Sequence, residues 1–197
     1  MLNASECDAM IDVARRRGLQ RSRVGEGSHA AIRTSDGVFL DAVDGVGNAP
    51  ANTALRQRVA SILGLPGPDF LEPTQVLRYR PRQRYRPHRD TISSVRALSA
   101  GGQRFASVVI SLNDPPSDVR TSAGGGSGGG TRFPLVNVTL RPPAGGGLLF
   151  YLSVASPGGG GVMDDPAALH EGLPTAGWTR YVAVLWAHPH EYLLPDD

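Results

Sequence analysis

Between residues 3 and 17, apolar side chains recur at Cys7, Met10, Ile11 and Ala14. That i, i+3, i+4, i+7 spacing places all four on one face of a helix. Asn3 and Glu6, three residues apart, match a capping box, and Gly18 supplies a stop. Cys7 lies on the apolar stripe, where a thiol is expected to act as core filling. A second helix is predicted over residues 53–63, striped by Leu55, Val59, Ile62 and Leu63 and ended by Gly64 and Pro66. After Pro73 the texture changes to short apolar runs separated by Gly and Pro: TQVLRY, RFASVVISL, LVNVTL, GGLLFYL and RYVAVLWAH. Runs of this length and punctuation predict a β-sandwich or barrel of short strands. In the last run, Tyr181, Ala183, Leu185 and Ala187 share one face of a strand, and Arg180, Val182, Val184, Trp186 and His188 the other.

Two glycine-rich stretches, residues 121–130 (TSAGGGSGGG) and 156–161 (SPGGGG), read as loops or hairpin insertions. Neither is a phosphate-binding loop, because no lysine follows and no strand–loop–helix context surrounds them. The architecture expected is one domain over residues 1–197. A helical support region (1–70) packs on an all-β core (71–197).

The 197 residues are 40% hydrophobic and 19% charged, which is ordinary for a globular protein. No apolar run is long enough to span a bilayer. The first fifteen residues lack the basic start and apolar stretch of a secretory signal, which predicts a cytoplasmic location. The single cysteine rules out an internal disulfide or a cysteine-rich metal site. Every one of the 20 basic residues is arginine. The absence of lysine excludes Schiff-base chemistry and leaves only planar, fork-shaped cations suited to carboxylates.

Candidate chemistry concentrates in QVLRYRPRQRYRPHRDT, residues 75–91. His88 and Asp90, two apart on an extended strand, project to one face, where an imidazole and a carboxylate can hold one metal ion. His170, just before the closing strand, can complete the set, with Arg180 ten residues beyond. Two histidines and a carboxylate on one face of a metal leave positions open for a bidentate cosubstrate and dioxygen, the pattern of non-haem iron(II). An arginine nearby can clamp the far carboxylate of a dicarboxylic acid. The alternation of Tyr79 and Tyr85 with arginines also resembles a base-stacking surface. The net charge of only +2 argues against a nucleic-acid partner.

The chain resembles, from end to end, the catalytic domain of prolyl 4-hydroxylases among the iron(II)- and 2-oxoglutarate-dependent dioxygenases. The likeness rests on LNASECDAMIDVA, AIRTSDGVFL, EPTQVLRYRPRQRYRPHRD, RFASVVISLND, GGGTRFP and LHEGLPTAGWTRYVAVLWAH. It implies a mostly β fold, a double-stranded β-helix or jelly roll with N-terminal helices packed on the major sheet. It implies His88, Asp90 and His170 as iron ligands. Arg180 would bind 2-oxoglutarate where many prolyl hydroxylases carry lysine, with Tyr79 and Thr131 helping to hold it. Tyr85, Arg104, Trp186 and His188 would line a groove for a proline-containing peptide. Fe(II), 2-oxoglutarate, O2 and ascorbate as reductant would be the small-molecule requirements. Residues 22–38 would form a lid. Asp90 sets the chain apart from related halogenases, which replace this carboxylate with a small residue. Trp186 stands where nucleic-acid demethylases carry a second arginine. The chain departs from the family at Arg82, Thr91, Ile92 and the glycine insertion, all bordering the pocket. The same chemistry on a free amino acid or small natural product, and a non-catalytic binding module, are the alternative readings.

Overall fold

In the computed structural model, the described residues are 1–22, 32–40, 50–117, 119, 128–156 and 162–193. Helix α1 (Ala4–Arg17) is followed by β1 (Gln20–Arg21), β2 (Asp36–Leu40) and α2 (Pro50–Leu63). Then come β3 (Thr74–Tyr79), β4 (Tyr85–His88), the short α3 (Val95–Leu98) and β5 (Ala106–Ser111). The chain continues through β6 (Gly128–Phe133), β7 (Val138–Leu140), β8 (Gly147–Tyr151), β9 (Ser153–Ala155) and β10 (Val162–Asp164). It closes with β11 (His170–Thr175) and β12 (Arg180–Ala187). A six-stranded sheet, ordered β1-β2-β3-β12-β5-β8, faces a four-stranded sheet, ordered β4-β11-β6-β7, and β9 pairs with β10. Every pairing is antiparallel. This is the expected mostly β jelly roll. No described helix is long and apolar enough to cross a membrane.

Helix α1 starts as its sequence dictates. The Asn3 side chain accepts from the Glu6 backbone N–H, and Glu6 reaches back to Asn3. Its buried face, Cys7, Met10, Ile11, Val13 and Ala14, joins Leu55 and Val59 of α2 and the outward faces of β5 and β12 in one apolar core. Burial pushes the Cys7 thiol pKa up. The chain's start is pinned where the Leu2 N–H donates to the Gly145 carbonyl (3.0 Å). A side chain at Gly145 would run into the Leu2 backbone.

Helix α2 begins three residues earlier than its stripe predicts, with Pro50 in the first turn, where a missing N–H costs nothing. Ile62, assigned to the buried stripe from its spacing, is 60% exposed. The buried face is rotated toward Asn52 and Arg56, because Arg56 donates to the carbonyls of Pro68, Leu71 and Glu72 and so ties α2 to the turn before β3.

The central strand β12 divides the molecule. Tyr181, Ala183, Leu185 and Ala187 pack outward into the helix-side core. Val182, Val184 and Trp186 face the other sheet, with Leu77 and Tyr79 of β3 and Val109 of β5. This second, smaller core sits between the sheets. The predicted LVNVTL strand is ordered as a strand only over Val138–Leu140, at the exposed edge of the small sheet. The first glycine stretch ends inside a strand, since Gly128–Gly130 open β6. Residues 120–127 and 157–161 lie outside the described residues.

The expected lid divides likewise. Residues 23–31 are not described, whereas 32–40 are tied down. Ile32 and Thr34 bond to the backbone of Arg86 and Arg84, Arg33 bridges Tyr85, and Asp36–Leu40 pair with β3. This segment crosses from the edge of the small sheet to the large one, so its second half is fixed framework.

Candidate active site

The metal-ligand candidates arrive on two neighbouring strands of the small sheet. His88 ends β4, His170 begins β11, and the two face each other in register. The β11 pairing spans four residues of β4, Tyr85 to His88, against three of its own, His170 to Gly172. That irregularity falls at Pro87, which has no N–H to donate to the ladder. Asp90 follows two residues after His88. Its Oδ1 lies 3.4 Å from His88 Nε2 and its Oδ2 lies 3.6 Å from His170 Nε2. One donor atom from each residue falls within 4.8 Å of the others.

The remaining atoms of these side chains are committed in ways that favour a metal. His88 Nδ1 lies 2.8 Å from the Arg86 carbonyl, and His170 Nδ1 lies 3.0 Å from the Ala168 carbonyl. A carbonyl only accepts, so both Nδ1 atoms carry the proton and both Nε2 lone pairs face Asp90. The Ser107 hydroxyl donates to Asp90 Oδ2 at 2.7 Å. Burial alone would raise the Asp90 pKa. The bond that His88 donates and the charge that both imidazoles carry when Nε2 is protonated outweigh it and hold the group well below the usual carboxylate range. Burial pushes the His170 pKa down. An ionised carboxylate beside a neutral imidazole is the state a cation requires. Tyr85 stacks on His88 with ring centroids 3.5 Å apart, and Phe150 meets the His170 ring edge-on at 4.8 Å.

Arg180, first residue of β12, lines the same cavity as these three residues and is 2% exposed. Its Nη1 donates to the Gly130 carbonyl (2.9 Å), while Nε and Nη2 are buried with no hydrogen-bond partner among the described residues. A buried cation with two idle donors is costly unless something anionic completes it. Tyr79, opposite Arg180 in register, and Thr131 line this cavity too, among the apolar side chains of Leu77, Val109, Val182 and Val184. Tyr79 reaches in because Gly172 leaves room, a Cβ there falling 3.2 Å from the tyrosine oxygen. The cavity therefore holds three metal-type donors, an uncompensated guanidinium and apolar walls. This donor set fits iron(II) and a short oxo-dicarboxylic acid.

A groove of about 650 Å³ adjoins the cavity and shares Arg33, Tyr85, Asp90 and Trp186 with it. Tyr85, Arg104 and Trp186 line this groove. Arg104 lies over the Trp186 ring, 4.0 Å from its centroid, and donates to the Asp90 carbonyl (3.0 Å). His188 does not reach the groove. Strand β12 ends at Ala187, and the His188 ring turns under Gly101 and is fully buried. Its Nε2 lies 2.9 Å from Glu72 Oε1 and its Nδ1 3.0 Å from the Gly102 carbonyl. Glu72 also receives both prongs of Arg104. Three residues with contacts here were not singled out from sequence: Glu72, Ser107 and Arg33. The available signal for Ser107 was a hydroxyl on the inward face of β5, a face it shares with Val109 and Ser111.

Residues 74–188 match the family model of the 2OG-Fe(II) oxygenase superfamily. Over 203 residues the chain is 32% identical to prolyl 4-hydroxylase 1 of Arabidopsis thaliana, an alignment covering 94% of this chain and 65% of that protein. The chain thus spans just under two thirds of that relative's length. The viral collagen prolyl hydroxylase of Paramecium Bursaria Chlorella virus-1, solved as a 2OG complex, superposes with a TM-score of 0.66 at 24% identity, covering 94% of this chain and 90% of that one. A Pseudomonas putida prolyl-4-hydroxylase superposes with a TM-score of 0.62 at 24% identity, covering 95% and 88%. Both likenesses are likenesses of fold.

Proposed function

The chain belongs to the 2OG-Fe(II) oxygenase superfamily, and on that premise we propose that it hydroxylates proline within peptides. The observation that carries this reading is the buried, uncompensated Arg180 guanidinium in the cavity that also holds His88, Asp90 and His170. His88 and His170 through Nε2, and Asp90 through its carboxylate, would hold iron(II). Arg180 would take the distal carboxylate of 2-oxoglutarate on Nε and Nη2, with Tyr79 and Thr131 beside it. When bound, iron(II) with 2-oxoglutarate and dioxygen supplies decarboxylation to succinate coupled to hydroxylation of a C–H bond, with ascorbate as reductant.

The chain's own groups do the rest. The Arg86 and Ala168 carbonyls hold both imidazoles in the ligating tautomer. Ser107 fixes the Asp90 carboxylate through one oxygen. The apolar walls keep water from the reacting centre. Trp186 and Tyr85 form the boundary between this cavity and the groove, where the substrate proline would enter. A groove of about 650 Å³ accommodates an extended peptide, which favours a peptide over a free amino acid. The curated relative in Arabidopsis and both structural neighbours are prolyl hydroxylases by name.

The test is mass spectrometry on a pool of proline-rich, Ser-Pro and collagen-like peptides incubated with enzyme, iron(II), 2-oxoglutarate and ascorbate. A gain of one oxygen on proline, absent with His88→Ala, is expected. Succinate release with no modified peptide would transfer the chemistry to a small-molecule substrate. Neither product would leave a binding module of the same fold.

A further inference from the structure

We propose that the peptide groove selects prolines flanked by acidic residues; the inference rests on the peptide-hydroxylase reading above. Among the described residues that line the groove, the only acid is Asp90, whose carboxylate is turned to His88, His170 and Ser107. The cations there are Arg21, Arg33, Arg89 and Arg104. Arg104 is already balanced by Glu72. Among the described residues, no acid pairs with Arg33.

Arg33 is 7% exposed, and among the described residues its Nε and Nη2 bond to neutral oxygens, Ser35 Oγ (3.2 Å) and Gln75 Oε1 (2.8 Å). Its guanidinium lies over the Tyr85 ring, 4.7 Å from the centroid, where cavity and groove meet. Arg89 lies between the two metal-ligand candidates of one strand end, His88 and Asp90. It is exposed on the groove wall and makes no hydrogen bond or ion pair among the described residues. One guanidinium is therefore held inward by the framework and a second is free to close from outside.

The rest of the wall contributes Ser93, Ser94, Gln20 and Gln75, which accept either sign of charge but neutralise neither. A carboxylate on the peptide gains charge-assisted bonds from Arg33 and Arg89, whereas a lysine in its place meets two like charges. The contrast between acidic and basic flanks is thus set by attraction on one side and repulsion on the other.

Three peptides that share one hydroxylatable proline core, flanked on both sides by Glu, Gln or Lys, test this. Product is followed by mass spectrometry at subsaturating peptide. Binding is followed separately by fluorescence anisotropy, so the preference is read even where turnover is absent. The Glu peptide should exceed the Gln peptide by about tenfold in kcat/KM and in affinity, and the Lys peptide should fall below both. The margin should shrink as salt rises from about 0.05 to about 0.3 M. Arg89→Gln should reduce the Glu preference, and Arg89→Glu should move it toward the Lys peptide. Equal rates and affinities for all three, with proline still hydroxylated, would overturn the acidic preference and leave prolyl hydroxylation standing. Preferential binding of the Glu peptide without any oxygen gain would uphold the preference and overturn the hydroxylation reading.

Discussion

Replacing Arg180 by methionine separates a ligand clamp from a structural arginine. The side chain is 2% exposed and, among the described residues, makes one hydrogen bond, to the Gly130 carbonyl, with no partner for Nε and Nη2. If those two donors receive a carboxylate, the charge-assisted contact contributes about 1.5–3 kcal/mol. At 1.4 kcal/mol per decade, its loss raises the 2-oxoglutarate requirement about 10- to 150-fold. The unliganded protein should respond in the opposite sense. An uncompensated buried charge costs several kcal/mol in desolvation, and methionine removes that cost at similar length at the expense of one bond. The melting temperature without 2-oxoglutarate should therefore hold or rise. The increase that 2-oxoglutarate produces, about 2.7 kcal/mol at a hundredfold excess over Kd, should fall to about 0.3–1.4 kcal/mol at the same concentration. Arg180→Lys keeps a point charge and should lie between the two. Steady-state succinate release and thermal melts with and without 2-oxoglutarate supply both readouts. A methionine variant with an unchanged 2-oxoglutarate requirement and melting shift, or one that unfolds when unliganded, would refute the argument.

Ser107→Ala removes the hydroxyl that holds Asp90 Oδ2. It should weaken metal binding about 10- to 100-fold in an anaerobic titration while leaving the melting temperature nearly unchanged; unaltered affinity would mean the carboxylate is held by its neighbours alone. Glu72→Gln addresses the buried cluster with His188 and Arg104. Burial alone would raise the Glu72 pKa, but the bonds from His188 and Arg104 bring it below the ordinary 4.5. Its contribution to stability is thus present above pH 4.5 and is lost as pH falls through the lower folded value. The variant should melt at lower temperature at neutral pH, by about 3–5 kcal/mol of stability, and the gap should narrow in acid; a constant gap across pH would contradict this. Gly172→Ala places a methyl 3.2 Å from the Tyr79 oxygen. It should raise the 2-oxoglutarate requirement several-fold, and Tyr79→Phe in the same chain should relieve part of that; additive losses would show that the two residues do not meet.

Local signals in the sequence carried far. The Asn3–Glu6 capping box, the stop at Gly18 and the alternation along β12 are encoded within a few residues of one another, and the structure follows each. What depends on distant partners was not legible. Spacing placed Ile62 inside, but Arg56 has three backbone carbonyls to satisfy across a turn, and the helix rotates to let it do so. His188 shares strand parity with Trp186, yet the strand stops at Ala187, and Glu72, 116 residues earlier in the chain, receives its ring. The His88–Asp90 pair was visible as a local pattern. The register that sets His170 opposite His88 is a property of the assembled sheet, and no spacing of residues encodes it. The carbonyl partners of the two imidazoles were equally hidden, because backbone acceptors carry no sequence signature.

The two walls of the cavity differ in how firmly they are held. Strand β12, which contributes Arg180, is hydrogen-bonded to β3 on one side and β5 on the other over most of its length. The histidines sit on β4 and β11, in a sheet whose opposite edge, β7, is exposed along its whole run. Amide exchange should therefore be slowest behind the guanidinium and faster around the imidazoles. A metal ion bridging β4 to β11 would act as a cross-strand rivet in the thinner sheet, and slowed exchange of its amides would report loading of the site without any turnover. The proposed oxo-acid clamp belongs to the rigid half of the barrel, and the proposed metal ligands to the half that loading itself would stiffen.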